Sequence, residues 1–401
     1  MLVRALDSKL RFPSQTNPRK SELVMDYWLF MSAITLLLLG LVMVASASAS
    51  IADRNTGDAF YYVWRQMTYI IIGLVAAWYT LKTKINIWQK LNPILLFSGV
   101  LLLILVIVVG REVNGSTRWL SLGFINVQPS EIVKLFMVMY MSGYLVRHGD
   151  EVRNSFKGFF KPIIIVSILS ILFLLEPDFG STAVLAVTTL GMLFIGGMRI
   201  RQFVMLLGVM LAGFTIVAMA APYRMERLRS FLNPWEDPFN TGFQLTQALI
   251  AFGKGEWFGV GLGGSIQKLF YLPEAHTDFL FAVLAEELGL VGAIGVISLF
   301  AIIVYRAFWI GYRAYLDDRL FSAYLAHGLG LLIATQAFTN IGVNLGVLPT
   351  KGLPLPLMSY GGSSVVVTCI ACAVLLRIHH ENQSPQASYM SRRHASLGEY
   401  G

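Results

Sequence analysis

The chain has 401 residues, of which 56% are hydrophobic and 13% charged, and its mean hydropathy is +0.64. A soluble domain usually carries about 25% charged residues, so this composition excludes a globular protein with a water-exposed surface. The formal net charge is +8, but its distribution follows membrane orientation, which argues against nucleic-acid binding.

Runs of some 20 apolar residues, long enough to cross about 30 Å of hydrocarbon, recur along most of the chain. We therefore predict an all-α polytopic membrane protein with about ten transmembrane helices and a large external loop between spans seven and eight. The spans lie near residues 27–49, 60–81, 90–110, 129–147, 162–176, 179–198, 202–221, 278–304, 321–345 and 356–377. Residues 1–26 form an N-terminal extension, 27–377 the membrane domain, and 378–401 a C-terminal tail.

Lys and Arg residues are unequally distributed between the two sides of the predicted bundle. Alternate connections place 20 of them on the side of the termini and 9 on the other side, and cytoplasmic loops carry the excess of positive charge. Both termini are therefore predicted to be cytoplasmic. The small residues 45–49 resemble a signal-peptide cleavage site, but the apolar run before them is too long for a signal peptide.

The first external segment with informative residues, 114–131, leads into the fourth span. Pro129 suits the first position of a helix, and Glu131 and Lys134 are spaced for an i,i+3 pair. The two side chains either form a cap and an internal ion pair or face a wet cavity. Between spans five and six, Glu176-Pro177-Asp178 predicts a surface turn, with Asp178 as the N-cap of span six.

The connection at residues 222–277 is far longer than an ordinary loop, and it is too apolar and aromatic to be disordered. It contains a basic cluster (Arg224, Arg227 and Arg229) and a short amphipathic helix with Gln244 and Gln247 on one face. Trp257 and Phe258 suit the headgroup level of a membrane. The loop either binds an anionic headgroup or seals the bundle.

The loop ends in Pro273-Glu274-Ala275-His276-Thr277-Asp278, which runs directly into an apolar span. This arrangement puts a carboxylate at a membrane surface, where it can meet a lipid-anchored substrate with its reactive end in water. The alternative role for Thr277 and Asp278 is an N-cap. Helical spacing lets Glu286 point toward the same cavity as Asp278, whereas pairing with a cation on a neighbouring span is the alternative for Glu286 and Glu287.

Near the start of the last span, Lys351 precedes a glycine-rich segment that contains Ser359 and Ser363. A cation and free backbone N–H groups at a helix start can bind phosphate oxygens, or the glycines only allow close helix packing. Cys369 and Cys372 form a C-x-x-C pattern within an apolar span, and we interpret them as small core residues rather than a metal or redox site.

Several of these segments carry a family resemblance. The blocks NGSTRWLSLGFINVQPSE, EPDFGS, GFQLTQALIAFGKGEWFGVGLGGSIQKLFYLPEAHTDFLFAVLAEELGLVG and NIGVNLGVLPTKGLPLPLMSYGGSS closely resemble the SEDS family of bacterial peptidoglycan glycosyltransferases, in particular its cell-division branch. The resemblance implies a ten-helix inner-membrane polymerase of lipid II at the division septum. It also implies a class B penicillin-binding transpeptidase and divisome regulators as partners, and it matches Asp278 to the family's essential aspartate.

Extension of a glycan from lipid II requires a general base within reach of the acceptor hydroxyl, and Asp278 is the predicted base. A divalent cation, Mg²⁺ or Mn²⁺, is the one cofactor considered, as an aid to the pyrophosphate leaving group, and no metal site is assigned. The alternative functions are a lipid II flippase and a non-catalytic divisome scaffold. Glu131, Asp178 and Glu286 are predicted to be structural. The predicted substrate contacts are Arg118, Lys134, Gln244, Gln247, Lys268, Glu274, His276, Lys351, Ser359 and Ser363.

Overall fold

A computed structural model of the chain describes residues 24–113, 116–121, 123, 125–219, 222–350 and 352–383. Each of the ten predicted spans contains one long helix, and two shorter helices lie in the long loop. The helices are α1 Tyr27–Thr56, α2 Tyr61–Lys82, α3 Ile85–Val109, α4 Pro129–Asn154, α5 Lys157–Leu175, α6 Phe179–Ile195, α7 Ile200–Met219, α8 Pro222–Leu232, α9 Phe243–Gly255, α10 Leu280–Leu316, α11 Leu320–Asn344 and α12 Gly362–Gln383.

The predicted membrane character is confirmed. Among the described residues, seven helices are long and apolar enough to cross a bilayer, namely α1, α3, α5, α7, α10, α11 and α12, and α6 is apolar but shorter. Helices α2 and α4 are as long but carry more polar residues. The number of ten spans therefore stays a prediction, although every predicted segment is helical.

A small antiparallel sheet follows α3, which the all-helical prediction did not include. Its strands are β1 Arg111–Val113, β2 Ser116–Ser121 and β3 Asn126–Val127, in the order β1-β2-β3. Strands this short have no clear sequence periodicity, so only the paired structure reveals them. The sheet leads directly into α4, which begins at Pro129 as predicted.

One end of the bundle is joined by a buried ion pair. The Asp26 carboxylate accepts a hydrogen bond of 3.1 Å from the Leu29 backbone N–H and thereby caps α1. The same carboxylate accepts a 2.9 Å bond from Arg306 Nε on α10. Helix α12 ends nearby, at Gln383, so the first residues of the predicted tail, 378–383, are helical.

Helix α10 is interrupted near its start, where we predicted one continuous span over 278–304. Gly289 has φ 67° and ψ −167°, which is not a helical conformation. A break in a membrane helix leaves backbone groups without intrahelical partners. Here the external loop supplies them: the N–H groups of Val260 and Gly261 donate to the carbonyls of Glu286 and Glu287 (3.0 and 3.1 Å).

The loop also supplies acceptors for the backbone N–H groups that follow the break. The N–H groups of Leu290 and Val291 donate to the carbonyls of Glu256 and Trp257, at 2.9 and 3.1 Å. The loop and α10 approach so closely that a Cβ on Gly289 would lie 2.4 Å from the Gly259 backbone nitrogen. Only glycine fits a backbone with these dihedral angles and this proximity.

We predict that Gly289→Ala destabilises the protein, because alanine both strains the positive-φ backbone, at about 1–3 kcal/mol, and collides with the loop. The matched control is Gly295→Ala on the same helix, where a Cβ meets no atom within 4 Å. That control should be neutral or stabilising by about 0.5–1 kcal/mol. The measurement is the Tm of the two purified variants in detergent, and equal Tm values would contradict the interpretation.

Candidate active site

Asp278 is half-buried in the turn that precedes α10. The N-cap residue of α10 is Phe279, whose side chain makes no cap hydrogen bond, so the N-cap position is not Thr277 or Asp278. The Thr277 hydroxyl instead donates to the Glu274 carboxylate at 2.7 Å. Glu274 is exposed and has φ 56°.

Two buried asparagines of α11 hold the Asp278 backbone. Asn340 Nδ2 and Asn344 Nδ2 both donate to the Asp278 carbonyl, at 2.8 and 3.0 Å. Asn344 Oδ1 also accepts a 3.0 Å bond from the Ala282 N–H in the first turn of α10. Asn340 and Asn344 are four residues apart and therefore lie on the same face of α11. We did not single them out in the sequence, although two asparagines at i,i+4 within an apolar span were a usable signal.

The segment after Lys351 passes directly beside the Asp278 carboxylate. A Cβ on Gly352 would lie 2.7 Å from Asp278 Oδ2. Asn340 Nδ2 also donates to the Leu353 carbonyl at 2.7 Å, so one side chain holds both segments. The carboxylate therefore lies between the end of the long loop and the segment 352–361. Lys351 itself lies outside the described residues.

An aromatic cluster borders this turn. The His276 ring lies 4.6 Å from the ring of Tyr62 and 5.6 Å from that of Tyr360, measured between centroids. The His276 carbonyl accepts a 3.0 Å bond from the Tyr360 N–H. Burial lowers the pKa of His276, and the Glu274 charge opposes this only in part, so the imidazole is neutral at pH 7.

Arg65 is a further cation on α2 that the sequence analysis did not select. Its guanidinium is half-buried, and Nη1 donates to the Tyr61 hydroxyl at 3.0 Å. Tyr61 is adjacent in sequence to Tyr62, whose ring contacts His276. The start of α2 thus brings a positive charge toward the aromatic cluster.

The turn between α5 and α6 contains the predicted Asp178 cap and, in addition, a contact with Arg118 that was not predicted. Asp178 caps α6 by accepting a 3.0 Å bond from the Ser181 N–H, which confirms its structural role. Arg118 donates to the carbonyls of Glu176 (3.1 Å from Nε) and Pro177. The guanidinium of Arg118 thus has a structural contact with this turn, and its predicted contact with substrate stays a prediction.

Glu176 in the same turn is a buried acid. Neither carboxyl oxygen has a hydrogen-bond partner in the described part of the chain. Burial, together with the nearby charge of Asp178 and against the opposing effect of Arg118, raises the pKa of Glu176 to about 8. The group is therefore mainly protonated and neutral at pH 7, a state that the turn pattern in the sequence did not indicate.

Lys134 lies in the protein interior. Its ammonium contacts Glu131 Oε1 at 2.7 Å, and Gln336 Nε2 donates to Glu131 Oε2 at 3.1 Å. Lys134 is only 1% exposed. Of the two roles considered, the structure has the internal ion pair, and in this conformation the predicted contact with substrate is not available to Lys134.

Lys268 is also paired rather than exposed. Its ammonium lies 2.8 Å from both Glu287 Oε1 and Ser46 Oγ, and Glu287 is fully buried. The cation that pairs with Glu287 therefore comes from the loop and not from a neighbouring span. The predicted role of Lys268 in substrate binding competes with this contact.

Glu286 has a different partner from the one predicted. Its carboxylate accepts hydrogen bonds from the Ser265 hydroxyl and from the N–H groups of Ile266 (3.1 Å) and Gln267 (3.3 Å). Helical spacing from Asp278 predicted that Glu286 could face the same cavity, but Asp278 lies before the first residue of α10. The carboxylate instead anchors the loop, so its structural role is retained and the expected cation is replaced by backbone N–H groups.

The glycine-rich segment before α12 is packed. The Ser359 hydroxyl accepts a 3.0 Å bond from the Leu355 N–H, and the Ser363 hydroxyl accepts a 2.8 Å bond from the Gln128 N–H. A Cβ on Gly362 would lie 2.3 Å from the Tyr69 ring. Close packing is therefore the better interpretation here, and the predicted phosphate contacts of Ser359 and Ser363 lack exposed groups.

The remaining predicted contacts lie on the loop. Gln244 and Gln247 are half-buried on α9, which confirms the predicted amphipathic helix. Among the described residues, no group of three or more His, Cys, Asp or Glu is arranged to hold a metal ion. Cys369 and Cys372 are free thiols buried in α12.

An apolar groove of about 330 Å³ runs between α5, α6 and α7. Leu174 and Phe179 line it beside the α5–α6 turn. That turn also touches the segment beside Asp278, because a Cβ on Gly180 would lie 2.8 Å from the Leu353 side chain. One end of the groove is thus close to Asp278: Gly180 contacts Leu353, and Asn340 bonds to the carbonyls of both Leu353 and Asp278.

Comparison with known proteins identifies similar chains over nearly the whole length. The family model described as cell cycle protein, which covers FtsW, RodA and SpoVE, matches residues 27–384. The probable peptidoglycan glycosyltransferase FtsW of Nitrosococcus halophilus is 55% identical over 91% of this chain and 95% of that protein. The corresponding protein of Legionella pneumophila is 51% identical over 89% of this chain and 91% of that protein.

Solved structures of related proteins have a similar fold. A chain from a peptidoglycan synthase complex that coordinates polymerization and crosslinking superimposes with a TM-score of 0.75 at 28% identity, covering 90% of this chain and all of that one. The rod shape determining protein RodA of Thermus thermophilus gives a TM-score of 0.67 at 26% identity, covering 90% and 99% of the two chains.

The buried pair Lys268–Glu287 generates a prediction that separates pairing from substrate contact. Removing one partner of a buried ion pair typically costs about 3–5 kcal/mol, whereas replacing both with apolar groups is often close to neutral. We expect Lys268→Met and Glu287→Met each to lower the Tm in detergent, and the double variant to recover much of the loss. A normal Tm together with poor substrate use in Lys268→Met would instead support the substrate contact.

Proposed function

The chain belongs to the FtsW, RodA and SpoVE family of cell cycle proteins, and on that premise we propose that it is an integral-membrane peptidoglycan glycosyltransferase. It polymerises lipid II into glycan strands for the wall that is built during cell division. The observation that supports the proposal is the position of Asp278 at the start of a membrane helix, where Asn340 and Asn344 both donate to its backbone carbonyl. A lipid-linked sugar presents its reactive end at this level of the membrane.

We assign Asp278 the role of general base. The 4-hydroxyl of the acceptor sugar attacks the anomeric carbon of the donor, a new C–O bond forms, and the bond to the polyprenyl pyrophosphate breaks. Asp278 takes the hydroxyl proton as the new bond forms, a contribution of about 10²–10⁴ in rate. Its backbone is fixed by Asn340 and its carboxylate is confined by Gly352, so the group is positioned before substrate arrives.

The apolar groove between α5, α6 and α7 is the proposed site for the polyprenyl chain. Its lining is almost entirely hydrocarbon, and its end at Phe179 is next to the turn that contacts Leu353. A chain that lies in this groove brings its pyrophosphate end toward the segment 352–361. The charge of the leaving group is balanced by Arg65, by Lys351 or by a divalent cation that arrives with the substrate.

We further propose a class B penicillin-binding transpeptidase as the partner, with divisome regulators acting on the pair at the septum. The similarity to a chain of a synthase complex that couples polymerization and crosslinking supports this assignment. The excess of Lys and Arg on the side of the termini supports an orientation in the inner membrane with both termini in the cytoplasm.

The first test is Asp278→Asn, which keeps the shape of the side chain and removes the base. We expect glycan polymerisation from lipid II by the purified complex with the transpeptidase to fall by about 10²–10⁴-fold, with unchanged expression and complex formation. The control is Asp237→Asn, at a partly exposed loop position whose carboxylate accepts hydrogen bonds from Asn240 and Thr241, and it should retain activity.

Glycan synthesis at the normal rate by Asp278→Asn would refute the assignment of the base. If wild-type protein moves lipid II across the membrane without forming glycan, the flippase is the better function. If Asp278→Asn supports division normally, the scaffold is favoured.

Orientation is tested with cysteines introduced at Asp237 and Asp317 in a background of Cys369→Ala and Cys372→Ala. A membrane-impermeant maleimide added to intact spheroplasts should label position 237, on the long loop, and should reach position 317, between α10 and α11, only after lysis. The reverse labelling pattern would refute the proposed topology.

A further inference from the structure

The loop that fills the break in α10 exposes a compact set of apolar side chains. Trp257 is 66% exposed, Phe258 81%, Val260 48% and Leu262 60%. Monomeric soluble surfaces rarely collect large apolar side chains in this way. Within the described part of the chain, these side chains have no protein surface that covers them, so their surroundings in the membrane decide what they contact.

The backbone of this segment is fixed to a membrane-spanning helix. The Trp257 carbonyl accepts from the Val291 N–H at 3.1 Å, and the Val260 N–H donates to the Glu286 carbonyl at 3.0 Å. Irregular backbone at membrane depth is tolerated only when its polar groups are satisfied internally. The break in α10 meets that requirement, because the loop and the helix satisfy each other's backbone N–H and carbonyl groups.

The depth of the segment follows from the helix to which it is bound. Arg306, paired with Asp26, marks the opposite end of the apolar part of α10, since charged groups avoid the hydrocarbon. Val291 precedes Arg306 by 15 residues, which is about 22 Å at 1.5 Å per residue and less than the roughly 30 Å of the hydrocarbon layer. Even from Arg313 the distance is about 33 Å, which places Val291 at the edge of that layer.

The exposed surface is also continuous with an exposed apolar side of α10. Leu290, Val291, Ile294 and Ile297 are all exposed on the described part of that helix. Leu290 and Val291 are the residues that bond to the loop backbone at Glu256 and Trp257. The apolar side chains of the loop therefore extend an apolar surface of a membrane-spanning helix, and Trp is enriched at the boundary between membrane and water.

We propose that residues 257–262 are inserted into the lipid leaflet on the loop side of the membrane, in the region of the headgroups and upper acyl chains. The partner of this surface is lipid, and the loop is a membrane-anchored element rather than a water-exposed one. The exposure of these side chains, the hydrogen bonds to α10 and the depth of Val291 support this placement, which does not depend on the catalytic role of Asp278.

The test uses the full-length chain in nanodiscs, with Cys369→Ala and Cys372→Ala as the background. Phe258→Cys is labelled with the environment-sensitive dye NBD, and Asp237→Cys serves as the matched control on the same loop. We expect the label at position 258 to emit at shorter wavelength, to lose emission to lipids with a doxyl group near the headgroup, and to resist aqueous iodide. The label at position 237 should show the opposite response to both quenchers.

Quenching of the position 258 label by iodide but not by doxyl lipid would overturn the proposal. Protection of that label only after the transpeptidase is added would also overturn it, in favour of a protein partner. Leu262→Cys, labelled in the same way, provides a second probe if the Phe258 variant does not fold, and it should give the same lipid quenching.

Discussion

The mutual backbone hydrogen bonding between the external loop and the interrupted helix α10 is the constraint on which the rest of the structure depends. Breaking a helix at membrane depth leaves carbonyl and N–H groups that lipid cannot satisfy. The loop satisfies four of them, at Glu286, Glu287, Leu290 and Val291. A long connection is thus held in one conformation, since moving it away from α10 would leave those groups without partners.

The same constraint explains the buried charges beside the break. Glu286 and Glu287 are completely buried, and an unpaired buried carboxylate is strongly unfavourable. Ser265 and the following N–H groups satisfy one, and Lys268 pairs with the other. The loop is therefore fixed at Lys268, and Asn340 fixes it again at Asp278. Anchoring the intervening segment at both ends gives the carboxylate a defined position without requiring it to belong to a regular element.

The features that could be predicted from the sequence are those that depend on the spacing of nearby residues. The helical segments, Pro129 at the start of α4, the Asp178 cap and the Glu131–Lys134 pair all depend on residues within a few positions of one another. Contacts between distant segments were missed: the asparagine clamp, the Arg118 contact with the α5–α6 turn, and the Lys268–Glu287 pair. Glu286 was assigned the wrong surroundings because Asp278 precedes the first residue of α10 and because residues 265–267 of the distant loop bond to the Glu286 carboxylate.

The cations around the candidate site differ in what they contact. Lys134 and Lys268 are each neutralised by a buried glutamate, and the guanidinium of Arg118 is bonded to backbone carbonyls. These three cations thus stabilise the fold. Arg65, on α2, contacts a tyrosine hydroxyl beside the aromatic cluster around His276. Asp278 and Arg65 therefore lie on different segments of the bundle, and we propose that the first removes the proton and the second stabilises charge.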